Sequence, residues 1–444
     1  MRTSVLAVIT TYNRPEICSR LMESLTRITS PSFDVFLIEN RSDKDYSKVV
    51  GKDWGFRVVY RKMDDNYGLP ITFNMGIRYA IEKGYEFVWV LDDDTLVEED
   101  TLRYMVEELD REKDVAVTGS AIFNIGKKDK LLHAGAFFDF KMLTPIPNEV
   151  IDSGISEVDY VADCSSLVRT SLIKEHNILY DENYFFHVED MDFPLMFKEK
   201  GYRITVDPRS RIYHMDWIEN YPASSSPIYY DVRNMLYMLM KFRPKEFRRS
   251  GLLMITFRRN VYYFLLGSIF TYLSGNIPLA YAFYLSVKDI YDLRMHRSDL
   301  NERTGITGAN DTARIEKKDI LVPVEFTEQE KKRFEELVRE QTKDCRIHRD
   351  HRMTRSGRIK RSITSWRKYD YVFISNIKMN ILFPMMGKKI IKMEDNRLQT
   401  CELRYAECLK FTLAVIMLSI RITKRRAFGF KRWRDRLIWR PGVI

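Results

Sequence analysis

The sequence has 444 residues, with 72 Lys and Arg against 62 Asp and Glu, which gives a formal net charge of +10. Hydrophobic residues make up 45%, and Gly and Pro number only 19 and 14, so the composition excludes a disordered chain or a fibrous repeat and allows two or three folded domains. The charge is uneven, because residues 1–300 carry 38 basic and 44 acidic side chains (net −6) whereas residues 301–444 carry 34 and 18 (net +16), and this asymmetry indicates a polyanionic partner such as anionic lipid or nucleic acid.

The first 120 residues alternate between short apolar runs and helical patterns. The runs predict strands at Val5–Thr10, Asp34–Ile38, Arg57–Arg61, Phe87–Leu91 and Val115–Thr118. The patterns between them predict helices at Pro15–Leu25, Pro70–Lys83 and Glu98–Glu108. Continuous apolar strands separated by helices are typical of a parallel sheet covered on both faces, so the expected fold class is α/β with a nucleotide-binding, Rossmann-like sheet.

The pattern becomes mixed between about residues 131 and 216, which predicts hairpins and a less regular half of the sheet. A helix is expected around Met191–Lys200, short strands at Arg203–Val206 and Ile212–His214, and a further helix at Tyr229–Phe242.

Residues 260–287 contain no charged side chain and are long enough to cross a bilayer on length alone. The interruption from Gly275 to Pro278 and the cationic residues on both flanks favour two short helices instead, packed in the protein or lying on a membrane surface. A single membrane span is the less favoured interpretation.

The basic tail contains a predicted charged helix at Thr327–Gln341, the basic run Arg346–Lys368 and the apolar run Phe411–Ile420. Ten apolar residues cannot span a membrane, but an apolar run bordered by cations suits an interfacial helix on anionic lipid. A helix buried in a small C-terminal domain is equally compatible with this pattern.

The five cysteines, an odd number without a CxxC motif, argue against a disulfide framework and favour a reducing compartment. The first apolar run is too short for a secretory signal. Cys345, His348 and His351 invite a zinc interpretation, but basic neighbours and the lack of a fourth ligand favour an exposed basic segment.

The strongest chemical motif is Asp92-Asp93-Asp94, which directly follows the apolar strand Phe87–Leu91. Three adjacent carboxylates repel one another unless a cation is present, and hard oxygen ligands suit Mg²⁺ or Mn²⁺. Helix capping would explain one Asp but not three. A phosphatase pattern of the Asp-x-Asp-x-Thr/Val type is broken by Leu96.

A second acidic cluster, Glu189, Asp190 and Asp192, follows the apolar residues Tyr184-Phe-Phe186 and is expected to begin a helix. Helix capping again explains one acid rather than three. A carboxylate among apolar neighbours can act as a general base. His214, after a short predicted strand, is informative only in combination with these acids.

In combination, the motifs resemble the inverting glycosyltransferases of family 2, which have the GT-A fold, and within them the rhamnosyl- and galactofuranosyltransferase branch. The resemblance covers about residues 4–240. It rests on seven motifs in order: the Thr-Tyr-Asn-Arg segment ending at Arg14, Asn66-x-Gly68 with Asn74-x-Gly76, the Asp92–Asp94 triplet, Asp181-Glu-x-Tyr-Phe-Phe before Glu189-Asp190-x-Asp192, Lys200-Gly-Tyr, His214-Met-x-Trp217 and Tyr229-Tyr-x-x-Arg233-Asn234.

The resemblance implies a role for each matched residue. Asp190 would be the catalytic base, and Asp92, Asp94 and His214 would hold Mn²⁺ or Mg²⁺. Contacts to a UDP- or dTDP-linked sugar donor are implied for Thr10, Tyr12, Arg14, Glu39, Asn40, Asn66, Asn74 and Asp93. Acceptor-binding or supporting roles are implied for Glu189, Asp192, Trp217 and Arg233.

Two stretches depart from the family pattern. The family usually has Asp-Asn-Gly-Ser where this sequence has Glu39-Asn40-Arg41-Ser42. Because these residues are implied to face the nucleobase, the resemblance does not specify which nucleobase the donor carries. Cys164-Ser165-Ser166 occupies a stretch where the family often has Gly or aromatic residues that line the acceptor site.

The expected organisation is therefore a GT-A catalytic domain with a mixed acceptor half at 1–240, a hydrophobic helical segment at 241–300 and a basic C-terminal domain at 301–444. The enzyme is expected at the cytoplasmic face of a membrane, peripherally bound to anionic lipid, with a glycan or lipid-linked acceptor and no nucleic-acid partner. Alternatives are a nucleic-acid-binding protein acting through the tail and a sugar-nucleotide nucleotidyltransferase. The latter needs a Gly-rich phosphate loop after the first strand, where this sequence has Thr-Thr-Tyr-Asn-Arg.

Overall fold

The computed structural model describes residues 4–149, 154–214, 225–242, 252–273, 277–295 and 297–298, and then short segments between 319 and 424. The chain divides into two compact units. The first consists of residues 1–260, 292–298 and 431–444, and the second of residues 261–291 and 299–430.

The first unit is built on a ten-stranded mixed sheet. Its central path runs β10-β12-β6-β11-β4-β1-β2-β3, while β5 pairs with β12 and β7 pairs with β6. The strands are β1 Val5–Thr11, β2 Phe33–Glu39, β3 Val58–Lys62, β4 Phe87–Asp92, β5 Leu96–Val97, β6 Val115–Asn124, β7 Leu131–His133, β10 Ser156–Val158, β11 Ser165–Arg169 and β12 Arg203–His214. A separate hairpin pairs β8 Ala136–Asp139 with β9 Thr144–Pro147.

One half of the sheet is parallel and the other is mixed. Strands β3, β2, β1 and β4 are parallel neighbours, whereas β11 enters antiparallel between β4 and β6. The predicted α/β fold with a Rossmann-like half and a mixed half is therefore confirmed.

Helices cover both faces of this sheet. The helices described up to residue 242 are α1 Pro15–Leu25, α2 Ser47–Val50, α3 Leu69–Lys83, α4 Thr101–Arg111, α5 Thr170–His176, α6 Glu189–Lys198 and α7 Ser225–Phe242. Side chains of β1 alternate between two buried clusters, with Val5 and Ile9 on the face that packs against α1 and α4, and Leu6 and Val8 on the face that packs against α3, α5 and α6.

The sequence predictions differ from the structure mainly at element ends. Strand β6 continues to Asn124 instead of ending at Thr118, because all ten of its residues are buried. The two short strands predicted at 203–206 and 212–214 form one strand, β12, whose register against β6 shifts between Asp207 and Arg211. This irregularity explains the interruption of the apolar pattern.

The second unit contains helices and a sheet. The helix α8 Leu252–Leu273 begins in the first unit, and α9 Ile277–Asp292 has Pro278 in its first turn. The predicted interruption at 275–278 lies partly on residues 274–276, which are outside the described residues. The apolar run 411–420 lies within α10 Tyr405–Lys424. Within the described residues, none of the helices combines the length and hydropathy of a membrane span.

The tail also contains a five-stranded sheet that the sequence patterns did not predict. Its order is β14-β13-β15-β16-β17, formed by β13 Asp319–Val322, β14 Arg346–Arg349, β15 Tyr369–Ile374, β16 Gly387–Glu394 and β17 Arg397–Glu402. Of the helix predicted at 327–341, the structure describes residues 332, 333, 336, 338 and 339, which are all helical, and most of the basic run 346–368 lies outside the described residues.

Candidate active site

The carboxyl ends of the central parallel strands meet at one edge of the sheet. Thr10 on β1 pairs with Ile38 on one side and with Asp92 on the other, and Thr11 pairs with Glu39. Residues far apart in the chain therefore lie side by side, as expected for a parallel sheet.

The end of β2 is held by an internal hydrogen-bond network. The buried Glu39 carboxylate accepts hydrogen bonds from the Tyr60 hydroxyl and the Ser42 amide, and it pairs with Lys62 at 2.8 Å. Asn40 donates to Asn66 Oδ1 at 2.8 Å. These hydrogen bonds shape the loops at this edge of the sheet.

Arg14, Asp93 and Asp94 form an ion-pair cluster at the end of β4. Arg14 lies in the turn between β1 and α1 and donates to Asp93 and, at 2.8 Å, to Asp94. Thr11 Oγ1 also donates to Asp93, at 2.6 Å. The side chains of Asp93 and Asp94 are almost fully buried, so Arg14 offsets charge that water cannot reach.

His214 completes the Asp94 environment from a distant part of the chain. Strand β5 pairs antiparallel with β12, with Leu96 opposite Tyr213, and this pairing brings His214 beside the triplet. Its Nε2 lies 2.9 Å from Asp94 Oδ1. Although burial opposes ionisation, the hydrogen bond from His214 and the charge of Arg14 lower the pKa of Asp94 to about 2.

Asp92 has a different neighbour. Because β11 runs antiparallel to β4 with Ser165 opposite Leu91, the preceding residue Cys164 lies next to Asp92. The Cys164 Sγ lies 3.1 Å from Asp92 Oδ2. Burial, together with the charge of Asp94, raises the pKa of Asp92.

Three potential metal-donor atoms lie close together at the carboxyl end of β4. Single donor atoms of Asp92, Cys164 and His214 all lie within 4.8 Å of one another. Carboxylate, imidazole and thiolate are all ligands of divalent cations, so the donor set fits a bound cation. The sequence predicted Asp92 and His214 for this role but not Cys164, whose only signal was the departure from the family pattern at 164–166.

The second acidic cluster begins α6. Two successive residues before it, His187 and Val188, have φ of 65° and 73°, and Asn234 on α7 donates to the carbonyl oxygens of Phe186 and His187 at 2.9 and 2.7 Å. This unusual backbone, held by α7, sets the direction in which Asp190 enters the helix.

Asp190 is partly exposed, unlike Glu189 and Asp192 of the same cluster. Burial raises the pKa of Asp190 to about 6, with His187 opposing the shift and Asp92 adding to it. The effect of the Asp92 charge on Asp190 indicates that these two acids lie near each other.

Glu189 and Asp192 are buried and differ in their partners. Asp192 accepts from Tyr184 at 2.9 Å and from Lys241 at 2.6 Å, so it joins a buried network between α6 and α7. Glu189 Oε2 is buried without a hydrogen-bond partner among the described residues. Burial and the charge of Asp190 raise the pKa of Glu189 well above its usual range.

Two other predicted site residues are buried and contact neighbouring protein groups. Asn74 is fully buried and its amide donates to Tyr180 O at 2.9 Å and to Glu182 at 3.0 Å. The buried Arg233 lies over the rings of the neighbouring residues 229 and 230.

Two of the remaining predicted residues lie at or just after the carboxyl end of β1, and one lies outside the described residues. Thr10 donates to Thr72, and Tyr12 is exposed. Trp217 lies outside the described residues.

Sequence reasoning missed Asp163, which the structure buries between the two acidic clusters. Its Oδ1 accepts from the Tyr180 hydroxyl at 2.9 Å and from Ser166 at 3.0 Å, whereas its Oδ2 has no hydrogen-bond partner within the part of the chain that is described. Burial and the charge of Asp190 raise the pKa of Asp163 well above its usual range. A single Asp before a strand gave no signal in the sequence.

Part of the chain is similar to known proteins. Residues 6–175 match the family model of glycosyl transferase family 2. Poly-beta-1,6-N-acetyl-D-glucosamine synthase of Staphylococcus epidermidis is 27% identical over 113 residues, which are 24% of this chain and 26% of that protein. The chain thus matches about a quarter of the length of this curated relative.

Solved structures similar to this chain include several glycosyltransferases. The S. aureus TarS 1-349 structure has 17% identity and a TM-score of 0.42, and the match covers 70% of this chain and 94% of that one. Mannosyltransferase PcManGT from Pyrobaculum calidifontis, in complex with GDP-Man and Mn²⁺, has 13% identity and a TM-score of 0.43, covering 65% and 76%. The similarity to glycosyl transferase family 2 therefore covers residues 6–175, the part of the chain that carries the strand ends and the Asp92–Asp94 triplet.

Proposed function

We propose that this protein is an inverting glycosyltransferase that moves a sugar from a nucleotide-diphosphate donor to a hydroxyl group of a glycan or lipid-linked acceptor. The observation that carries the proposal is the Asp92–Asp94 triplet at the carboxyl end of β4, where Asp94 contacts Arg14 and His214, within the segment that matches glycosyl transferase family 2. The cationic Arg14 and the acids around it lie at the carboxyl ends of parallel strands, where such sheets bind nucleotides.

Asp190 is the proposed base. Its partly exposed carboxyl can reach an incoming hydroxyl, and a pKa of about 6 lets it be ionised at neutral pH while remaining a competent proton acceptor. Deprotonation of the acceptor allows its oxygen to attack the anomeric carbon as the bond to the diphosphate breaks. A single displacement of this kind inverts the anomeric configuration.

Asp92, Asp94 and His214 are proposed to hold a divalent cation, Mn²⁺ or Mg²⁺. When bound, such a cation would offset negative charge on the departing diphosphate. Burial raises the pKa of Asp93 to about 7, and Arg14 opposes this shift. Arg14 also contacts Asp94, and Thr11 donates a hydrogen bond to Asp93, so both carboxylates are held in place.

The test is donor turnover by the full-length protein. The protein is incubated with Mn²⁺ or Mg²⁺ and one nucleotide sugar at a time, and release of the nucleotide diphosphate is measured. The donors are UDP-galactofuranose, dTDP-rhamnose, UDP-glucose, UDP-GlcNAc and GDP-mannose. We expect turnover of one donor, lost by more than about a hundredfold in Asp190→Asn and in Asp94→Ala. The matched control Asp110→Asn removes an exposed carboxylate on α4 and should keep full turnover.

Two results would overturn this assignment. Full turnover by Asp190→Asn would remove Asp190 as the base, and formation of a nucleotide sugar from a sugar phosphate would favour a nucleotidyltransferase. Preference for dTDP-rhamnose or UDP-galactofuranose would support the branch suggested by the sequence motifs.

We further propose that the second unit contacts an anionic lipid surface at the cytoplasmic face of a membrane. Exposed apolar side chains lie on α8 and α10, with Tyr263 71% exposed and Leu266, Leu413 and Met417 each about half exposed. Helices α8 and α10 also line an apolar groove of about 470 Å³. Cations at 410 and 421 are exposed on α10, so they border the apolar surface.

Vesicle binding tests this second proposal. We expect the protein to float with vesicles containing phosphatidylglycerol, to float less with pure phosphatidylcholine, and to lose binding as salt is raised. Tighter binding to an oligonucleotide than to anionic vesicles at matched ionic strength would instead favour the nucleic-acid-binding alternative.

A further inference from the structure

The position of Cys164 is set by the sheet and not by local sequence. β11 begins at Ser165 beside the carboxyl end of β4, so the residue before it faces the residue that ends β4. The thiol is buried, 3.1 Å from Asp92 Oδ2. A thiol is a weak hydrogen-bond donor, so this contact alone gives little reason to place sulfur next to a carboxylate.

A third donor converges on the same place from β12. A ring nitrogen of His214, a carboxylate oxygen of Asp92 and the sulfur of Cys164 lie within 4.8 Å of one another. These three ligand types, brought together from distant chain positions, match the one-sulfur, one-nitrogen, one-oxygen sets that suit borderline cations.

We propose that Cys164 is a metal ligand, and that the centre formed by Asp92, Cys164 and His214 binds thiophilic divalent cations such as Zn²⁺ and Co²⁺ more tightly than Mg²⁺. Mg²⁺ takes oxygen ligands and gains nothing from a thiolate, whereas Zn²⁺ and Co²⁺ form strong bonds to sulfur. Binding replaces the S–H bond by a metal–sulfur bond, and the proton leaves to solvent.

This inference deepens the proposed function and rests on it, because it concerns the same cation site. It predicts that the metal preference of this protein differs from that of a site built from Asp92, Asp94 and His214 alone. Asp94 contacts His214 and Arg14, whereas Asp92 contacts the sulfur, so Cys164 joins the site through Asp92.

Co²⁺ binding to the full-length protein provides a readout that does not depend on activity. The background carries Ser at Cys345, Cys401 and Cys408, so that sulfur from the C-terminal region cannot contribute. After removal of metal with a chelator, Co²⁺ is titrated and the near-ultraviolet absorbance is recorded. A thiolate bound to Co²⁺ gives an intense charge-transfer band, whereas oxygen and nitrogen ligands give only weak visible bands.

We expect the charge-transfer band in the background protein and its loss in Cys164→Ser. Cys18→Ala is the matched control, because Cys18 is also a buried free thiol of the first unit, and this variant should keep the band. Absence of the band from the background protein, or its full retention in Cys164→Ser, would overturn the proposal. Circular dichroism of each variant establishes that it is folded.

Calorimetry gives a second, independent measurement. Cys164→Ser should weaken Zn²⁺ binding by about tenfold or more while leaving Mg²⁺ binding within about twofold. An equal loss for both cations would contradict the proposal, because it would show that the substitution disturbs the site instead of removing a ligand. Asp190→Asn should retain the Co²⁺ band, so a protein that binds Co²⁺ through sulfur but turns over no donor would support this inference while contradicting the proposed function.

Discussion

The carboxyl groups of the site have different protonation behaviour because their neighbours differ. Asp94 is buried, yet His214 and Arg14 lower its pKa to about 2. Asp190 is influenced by burial, by His187 and by other acids, and its pKa is raised to about 6. One carboxylate is therefore ionised at all physiological pH values, whereas the other changes its protonation state just below neutrality.

The pH dependence of turnover follows from this difference. If Asp190 is the base, the rate should fall as the pH drops through about 6, because a protonated carboxyl cannot accept the acceptor's proton. His187 lowers the pKa of Asp190, so His187→Gln should move this acidic limb toward higher pH. The profile of kcat against pH measures the shift, and an unchanged limb would show that Asp190 does not control it.

At the scale of elements, α3 packs tightly against the first strand. A Cβ at Gly76 would lie 2.4 Å from a methyl carbon of Val8, so only Gly allows this approach. Gly76→Ala should destabilise the first unit by about 1–3 kcal/mol. The midpoint of urea unfolding measures the change.

The control for this substitution is another helical glycine. Gly267 on α8 has no atom of the described residues within 4 Å of the place that a Cβ would take, so Gly267→Ala adds helix propensity without a clash. It should not destabilise the protein. A loss of stability equal to that of Gly76→Ala would mean that the Val8 contact is not the cause.

Helices α6 and α7 are joined by a buried ion network. Lys241 on α7 lies 3.0 Å from Asp181 and 2.6 Å from Asp192, and all three side chains are largely shielded from water. Lys241→Met should destabilise the fold by about 3–5 kcal/mol, because it leaves two buried acids without their cation. Chemical unfolding at a fixed pH measures this loss.

The effect of Lys241→Met should depend on pH. Burial, opposed by Lys241, raises the pKa of Asp192 to about 6, above its value in the unfolded chain. Because Lys241 lowers this pKa, its removal should raise the pKa of Asp192 above 6, and protonation of Asp192 in the folded variant as the pH falls removes the uncompensated charge. Lys241→Met should therefore cost more stability at pH 8 than at pH 5, and Asp192→Asn added to it should restore part of the loss.

At the scale of the whole molecule, positive charge is concentrated in residues 301–444. Their net charge of +16 and the exposed apolar residues of α8 and α10 support the proposal that the second unit contacts anionic lipid. Leu413→Ser with Met417→Ser should weaken vesicle binding several-fold without changing donor turnover in solution. A combined loss of both would indicate that these substitutions disturb folding instead.

The part of the site at the carboxyl ends of β1, β2 and β4 follows from the sequence alone. Continuous apolar strands separated by helices require a parallel sheet, and in such a sheet the residues that end Val5–Thr11, Phe33–Glu39 and Phe87–Asp92 must share one edge. The sequence was therefore enough to place the Asp92–Asp94 triplet at that edge. It was not enough to predict the five-stranded sheet of the tail, because the short strands there carry a charge pattern without a clear period.

Only the tertiary structure decided which side chains meet the triplet. Cys164 reaches Asp92 because β11 runs antiparallel between two strands, and His214 reaches Asp94 because β5 pairs with β12. Asn74, predicted to bind the donor, is likewise engaged in buried contacts that only the packed structure reveals. Residues 72 or 120 positions apart have no local pattern in common, so their contacts depend on strand order and register, which are set by the packing of the whole sheet.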